Sequence, residues 1–354
     1  MTGPEWLQFQ HVLMIVFVFI SILFNACLIT LIQRKSPKNL GPYKHLMIFI
    51  SVFEIIYSIM DYLVLPIMHS FGSSFFIMTP VNIIMFGKPT ALIMQAAWCG
   101  FFGASMAIFG IHFVYRYLAV TGSTFISTFK GFKILFWLSI PIAYGCIWGL
   151  VSYFCCGPKD ELSAYIRENL MESFELSVDD VVYIGIYLYT ENGDFLLDSD
   201  VIITLTGAVV LIGSSLFTIF YLGFKCYRAL TDNGHSQHYR TLQTQFFLAL
   251  VLQTVIPITL MHFPFLVSFS GALLNYGIGK LSNLVSITIA FYPVVDPLPT
   301  VFIIKNYRVG LKEYCLFPCK FFKLYISGVA KSEAVSTVSR RISTAEYAKE
   351  MMML

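Results

Sequence analysis

Glu54 and Asp61 stand seven residues apart in a stretch, 46–68, that carries no other charge, and Asp296 stands alone in a second such stretch, 281–304. A carboxyl in apolar surroundings holds a proton, binds a cation, or pairs with a donor from a neighbouring element. Seven residues make two helical turns, so Glu54 and Asp61 share a helix face about 10 Å apart along its axis. Asn25, Ser105 and Asp296 are the natural partners from three other apolar stretches. We expect Asn25, Glu54, Ser105 and Asp296 to form a buried polar cluster that binds a cation or a shared proton, with Asp61 at its margin.

A second constellation runs through 91–115. Trp98, Ser105, His112 and Arg116 recur at spacings of seven, seven and four, which puts them on one helix face within about 40°. Such a face connects a pocket at the Trp98 end to a cationic surface at Arg116. Trp98 and Phe102, with His262 from a later stretch, are expected to bound the pocket, because an aromatic cavity with one or two polar groups suits a small, weakly polar ligand. His112 either belongs to a polar relay or hydrogen-bonds a neighbouring helix. Pro257, Pro264, Pro293 and Pro297 fall inside the last two apolar stretches and predict kinks beside that pocket.

The elements that must position these residues follow from composition. The chain has 354 residues, 57% hydrophobic and 12% charged, where a soluble domain carries roughly a quarter charged residues. Seven runs are nearly free of charge, at about 12–32, 46–68, 91–115, 134–156, 201–224, 246–273 and 281–304. Backbone in hydrocarbon must satisfy its own hydrogen bonds, so these runs are helices, and they are too long and too continuously apolar for membrane strands. The expectation is an all-α membrane protein whose residues 1–304 form a seven-transmembrane helix bundle. The first run follows no basic segment and no small-residue cleavage site, so it reads as an uncleaved helix.

Orientation follows from Lys and Arg. Segments 33–45, 116–133, 225–245 and the tail from 305 hold 19 of them and the alternate segments hold 4, which predicts an outside N-terminus and a cytoplasmic C-terminus. The long loop 157–200 is then outside. It is acidic, and reads either as a solubilising segment or as a lid, with the Tyr183, Tyr187, Tyr189 alternation forming a short strand and a turn at Glu191–Asp194. Most of the eight Cys lie in apolar runs, so no outer disulfide framework is expected. Residues 305–325 interleave basic and apolar side chains and read as an amphipathic segment on the inner leaflet, with Cys315 and Cys319 as palmitoylation candidates. Residues 326–354 read as a disordered tail with Ser343 as a phosphorylation candidate. No phosphate-binding loop, zinc-protease motif or metal-spaced His/Asp cluster occurs, so neither an enzyme nor a cofactor or metal site is indicated.

Several segments resemble known receptors. Phe24–Ile29 around Asn25, Pro42 twelve residues before Glu54, Tyr115-Arg116-Tyr117, Ser105 and Asp296-Pro297 are similar to motifs of the rhodopsin-like receptors. A closer resemblance, spanning the membrane domain, is to the nematode Str-class serpentine chemoreceptors. Lys38–Lys44, Pro66–His69, His112–Tyr117, Ala249–Thr254 and Tyr292–Pro297 carry it. The resemblance implies a receptor for small environmental chemicals, an odorant type, that acts through a heterotrimeric G protein in the plasma membrane of sensory cilia. It also implies G-protein coupling at Arg116 and Tyr117. Tyr115 replaces the usual acid before the Arg, Cys99 sits too deep for the usual outer disulfide, and Ala290 replaces a retinal-binding Lys. A ligand-gated cation channel, which has the opposite orientation, and an ion-coupled transporter using Glu54, Asp61 and Asp296 are the alternatives.

Overall fold

The computed structural model describes residues 3–37, 40–190, 193–196, 198–231 and 237–314, with backbone alone at 237–239. Cys315, Cys319, Ser343 and the expected disordered tail lie outside the described residues, as do Glu191 and Asn192 of the expected turn. Seven helical stretches are long and apolar enough to cross a membrane. They comprise α1 (Gly3–Lys35), α2 (Tyr43–Val64), α3 (Lys88–Val120), α4 (Ile134–Cys155) and α6 (Ser199–Thr231). The sixth joins α7 (Gln237–Pro257) to α8 (Phe263–Leu273), and the seventh joins α9 (Asn283–Val295) to α10 (Pro297–Ile303). The helices α1, α3, α6 and α7 extend beyond the apolar runs that announced them, because helical hydrogen bonding continues past the hydrocarbon.

Helix α3 is the axis of the bundle, with buried residues all round its circumference, whereas α4 and α6 bury narrow stripes and expose the rest. Small residues let α3 and α4 touch backbone to backbone. A Cβ on Gly100 would lie 2.6 Å from the Gly145 carbonyl oxygen, one on Gly145 3.0 Å from that of Gly100, and one on Gly149 3.1 Å from that of Ala96. Close approach of this kind is the usual route to helix association in lipid, where hydrophobicity gives no drive.

The second helix ends four residues before the apolar run does. Leu65 adopts a left-handed conformation (φ 49°), its N–H bonded to the Asp61 carbonyl, because Pro66 disfavours helical geometry in the residue before it. The chain then forms β1 (Ile67–Phe71) and β2 (Ser74–Pro80), joined at Gly72-Ser73 with Gly72 at φ 50°. The third strand, β3 (Val181–Tyr187), pairs antiparallel with β2, opposing Phe76 to Gly185. The expected strand includes Tyr183 and Tyr187 but stops short of Tyr189, which bridges Phe195 instead; the hairpin before it adds a sheet to a mostly helical chain. The Gly-Ser pair between Ser-Phe and Ser-Phe-Phe was the available hairpin signal.

The acidic loop folds mainly as α5 (Asp160–Phe174). Leu162, Ile166, Leu170 and Phe174 recur every fourth residue and are all buried against Ile67, Phe76, Met78 and Val181. At about 2 kcal/mol for each buried side chain, this stripe holds the helix to the sheet and makes a cap over the end of the bundle that carries the N-terminus. His69 pins the cap centrally, with Nδ1 3.1 Å from Asn283 Oδ1 and Nε2 2.9 Å from Asn169 Oδ1. Burial is the largest influence on the imidazole and lowers its pKa. The unfolded chain therefore takes up the proton first, and the stability His69 contributes is present above the ordinary histidine range and lost as pH falls through it. Amide protection in 160–174, corrected for the intrinsic pH dependence of exchange, is expected to fall on acidification from neutral pH to about pH 5, and His69→Phe is expected to flatten that response.

At the opposite end a helix over 305–314 packs against the end of α1. Tyr307 is fully buried with its hydroxyl 2.8 Å from Ser36 Oγ, and Lys35 pairs with Glu313.

Candidate functional site

Trp98, Phe102 and His262 line one cavity of about 500 Å³, enclosed by α3, α4, α6 and the α7–α8 junction. Phe75, Ile77, Ile184 and Ile186 of the sheet form its roof. None of the described residues lining it is charged. The junction is a π-helical turn at Ile258–His262, flanked by Pro257 and Pro264. Each proline withholds an N–H from the helical ladder, and the wider turn is one way the backbone accommodates the loss. The turn carries His262 inward, its ring centroid 4.6 Å from that of Phe102 and Nε2 3.1 Å from Ser105 Oγ.

The floor of the cavity connects to the polar interior. Trp98 Nε1 donates to Asp61 Oδ1 at 2.5 Å, and the Trp98 ring lies 6.1 Å from that of Tyr57, which lies 6.1 Å from that of Tyr292. Next to Tyr292, and fully buried, are Glu54, Asp296 and Asn25. The Glu54 carboxyl adjoins the Asp296 carboxyl and the Asn25 amide, and its Oε1 has no hydrogen-bond partner among the described residues. Asn25 Nδ2 also donates to the Pro293 carbonyl at 3.1 Å. Gln253 from α7 donates to Asp296 Oδ2 at 2.9 Å and accepts from the Thr300 hydroxyl at 2.7 Å. Thus α1, α2, α7 and the α9–α10 break meet at one polar knot.

Ser105 is engaged elsewhere. Its hydroxyl donates to the Phe102 carbonyl at 2.7 Å and meets His262, so α7 supplies Gln253 where α3 was expected to supply Ser105. Gln253 was visible in the sequence as an amide within an apolar run. Spacing alone gave no sign of the direction in which its side chain reaches.

Arg116 is 1% exposed at the far end of α3. Its guanidinium carbon lies 3.6 Å from the Tyr43 ring centroid and 4.6 Å from that of Phe246, and Nη1 donates to Gln243 Oε1 at 2.9 Å. Nε and Nη2 have no partner among the described residues. With Tyr115 in place of an acid, the cation is sandwiched between aromatic rings and one neutral amide. His112 faces the same tyrosine, Nδ1 3.3 Å from the Tyr43 hydroxyl, and Tyr115 stacks on Tyr43 at a centroid distance of 5.0 Å. Tyr117 is half-buried, its carbonyl accepting from the Thr121 hydroxyl. The six cysteines among the described residues are free, and no metal-holding group of His, Cys, Asp and Glu occurs among those residues.

Seven membrane-length helices around a central α3, with a roofed cavity at one end and a buried arginine at the other, define the seven-transmembrane class. Squid rhodopsin shares the fold, with a TM-score of 0.62 over 90% of this chain and 88% of that one at 11% identity, a likeness of fold alone. Residues 10–312 match the serpentine type 7TM GPCR chemoreceptor Str model, and the chain belongs to that family. It is 38% identical over 321 residues to G-protein coupled receptor str-217 of Caenorhabditis elegans, covering 88% of this chain and 92% of that one. It is 31% identical over 319 residues to Serpentine receptor class r-10 of the same nematode, covering 87% and 91%. This is a family of receptors.

Proposed function

We propose that the chain is a chemosensory receptor that takes a small environmental chemical into the cavity beside Trp98, Phe102 and His262 and activates a heterotrimeric G protein at the Arg116 end. The cavity carries the reading. Its volume of about 500 Å³ is in the range of small-molecule sites, and its wall is apolar with few polar groups, as such sites are. One of its sides is the π-turn between α7 and α8, a place where a helix is able to change register. The charge count supports an N-terminus outside and a C-terminus in the cytoplasm; in that orientation the cavity lies toward the outer side and Arg116 toward the inner. Membership of the chemoreceptor family supports a place in the plasma membrane of a sensory cilium.

Expression in a heterologous cell with a chemical panel and a second-messenger readout tests this reading. Once an agonist is found, Phe102→Ala is expected to raise the half-maximal concentration at least about tenfold through loss of ring contact, with normal surface delivery. Unchanged potency for alanine at all three positions, with each variant at the surface, would exclude the cavity as the ligand site.

A further inference from the structure

The cavity is walled on every side but one. Toward the end of the bundle that carries the N-terminus its roof is two layers deep. Phe75, Ile77, Ile184 and Ile186 line the cavity, and the alternate residues Phe76, Met78 and Val181 of the same strands are buried under α5. The roof is also fastened at its edges. The Gly185 N–H donates to the Cys156 carbonyl at 2.8 Å, just past α4. On the other edge Phe75 packs on Phe265 and Phe269 of α8 at centroid distances of 5.2 and 6.1 Å, and the Tyr189 hydroxyl donates to the Leu273 carbonyl at 3.0 Å. The lining residues contributed by α3 and α4 are all buried.

The side between α6 and α8 is different. Val209 is 73% exposed, Phe263 62% and Leu266 57%. Gly213 is exposed as well, and these four are the exposed residues among those that line the cavity. A Cβ on Gly213 would meet no atom within 4 Å. Residues three or four apart stand one above the other on a helix, so the two pairs form the posts of a slot. Helix α6 is tied to α4, with the Tyr144 hydroxyl 3.0 Å from Ser214 Oγ and the Cys156 thiol 3.3 Å from the Thr204 hydroxyl. Among the described residues no hydrogen bond or ring contact joins α6 to α8.

The slot faces hydrocarbon. Val209 lies about 14 Å along α6 from Asp200, whose ion pair with Lys159 marks the polar rim. Leu266 lies about 10 Å along α8 from the helix end at Leu273. With a hydrocarbon core about 30 Å thick, both posts stand in the half of the bilayer nearer the cap.

We propose that the ligand enters sideways, through the slot between α6 and α8, and is an uncharged molecule first dissolved in the leaflet on the cap side. The proposal rests on the reading of this cavity as the ligand site. A molecule with about 200 Å² of apolar surface is enriched in hydrocarbon by about three orders of magnitude, so the bilayer supplies it at a concentration that water does not reach. A charged molecule is kept from this route, and from a cavity that no charged residue among those described lines.

Stopped-flow quenching of tryptophan fluorescence by 1-bromonaphthalene tests the route on the purified full-length chain in lipid nanodiscs, since Trp98 and Trp148 line the cavity. The saturable component gives the association and dissociation rates. Gly213→Phe, and the double variant Val209→Phe with Gly213→Phe, place rings across a slot that is now open. Both are expected to slow association and dissociation together by about tenfold or more, with the dissociation constant held within about threefold. Tyr189→Phe removes the bond between roof and α8, and is expected to leave both rates unchanged, whereas entry through the roof would become faster. Association at the wild-type rate in both slot variants, slower association without slower dissociation, or faster association in Tyr189→Phe overturns sideways entry while leaving the cavity as the ligand site. A separate control, Ala208→Phe, fills the cavity and is expected to abolish the saturable component. If wild type shows no saturable quenching, or if this variant shows the same, the cavity is not the site and the ligand reading falls with the proposal.

Discussion

Arg116→Ala is expected to abolish agonist-stimulated signalling, by about a hundredfold or more, while surface delivery stays near the wild-type level. Two magnitudes set this apart from ordinary damage to the core. Hydrogen bonds made by a charged donor are each worth about 1.5–3 kcal/mol, so an arginine that leaves its buried position and meets a partner protein through two of them controls about 3–6 kcal/mol of coupling. The fold depends on it less. Among the described residues Nε and Nη2 have no partner, and Gln243 and two aromatic rings are what compensates the charge, so removing it also removes an under-compensated buried cation. Arg116→Lys keeps the charge but loses the planar stack on Tyr43 at 3.6 Å, and should retain only part of the response. Gln243→Leu frees the guanidinium and is expected to raise basal signalling. Gln243→Glu gives it a carboxylate and is expected to lower basal signalling. Normal signalling by both Arg116→Ala and Arg116→Lys at the surface would remove the arginine from coupling.

Asp296→Ala is expected to be the most destabilising single change in the polar interior, by about 1–3 kcal/mol, the range for leaving a buried polar group without its partner. It takes one acceptor from the Gln253 amide, which keeps the Asp296 backbone carbonyl at 3.1 Å, and leaves the Glu54 carboxyl without its neighbour. Asp296→Asn should be close to neutral by contrast. Its Oδ1 still accepts from Gln253, and its Nδ2 supplies the donor that two adjoining carboxyls otherwise obtain from a shared proton. Thermal melting of the detergent-solubilised chain checks both. If a bound cation rather than a proton joins the carboxyls, Asp296→Asn loses stability as well and the sodium dependence of wild-type melting disappears with it. Equal melting of wild type, Asp296→Ala and Asp296→Asn would mean that the carboxyl pair contributes nothing to the fold.

The seven spans were legible because hydrocarbon leaves a backbone no choice but helix, and a run such as 12–32 has no other reading. The hairpin at 67–80 was concealed by the same apolarity, since Ile67 and Met68 continue the second run without a change in composition. Pro66 marked the boundary, but proline is tolerated inside membrane helices and the signal was ambiguous. In the acidic loop, Leu162, Ile166, Leu170 and Phe174 spelled a helix every fourth residue, beneath a charge pattern that drew attention to its exposed side. At the polar centre, periodicity placed Ser105 on the inner face of α3. Which neighbour it meets depends on the inward turn that carries His262, and no spacing on α3 encodes a deformation of α7–α8.

The glycine contacts between α3 and α4 constrain how any signal crosses the molecule. Gly100, Gly145 and Gly149 bring the two backbones so near that neither helix is able to slide or roll past the other without a steric clash. The pair is a stator. It holds Trp98, Phe102 and Arg116 at fixed distances from one another, so the response cannot travel as a displacement along α3. On the proposed reading the moving part is α7–α8, which touches that pair at both ends, through His262 against Ser105 and Phe102 and through Gln243 against Arg116. On that reading, a molecule that pushes on His262 would act on the element that also holds the arginine through Gln243.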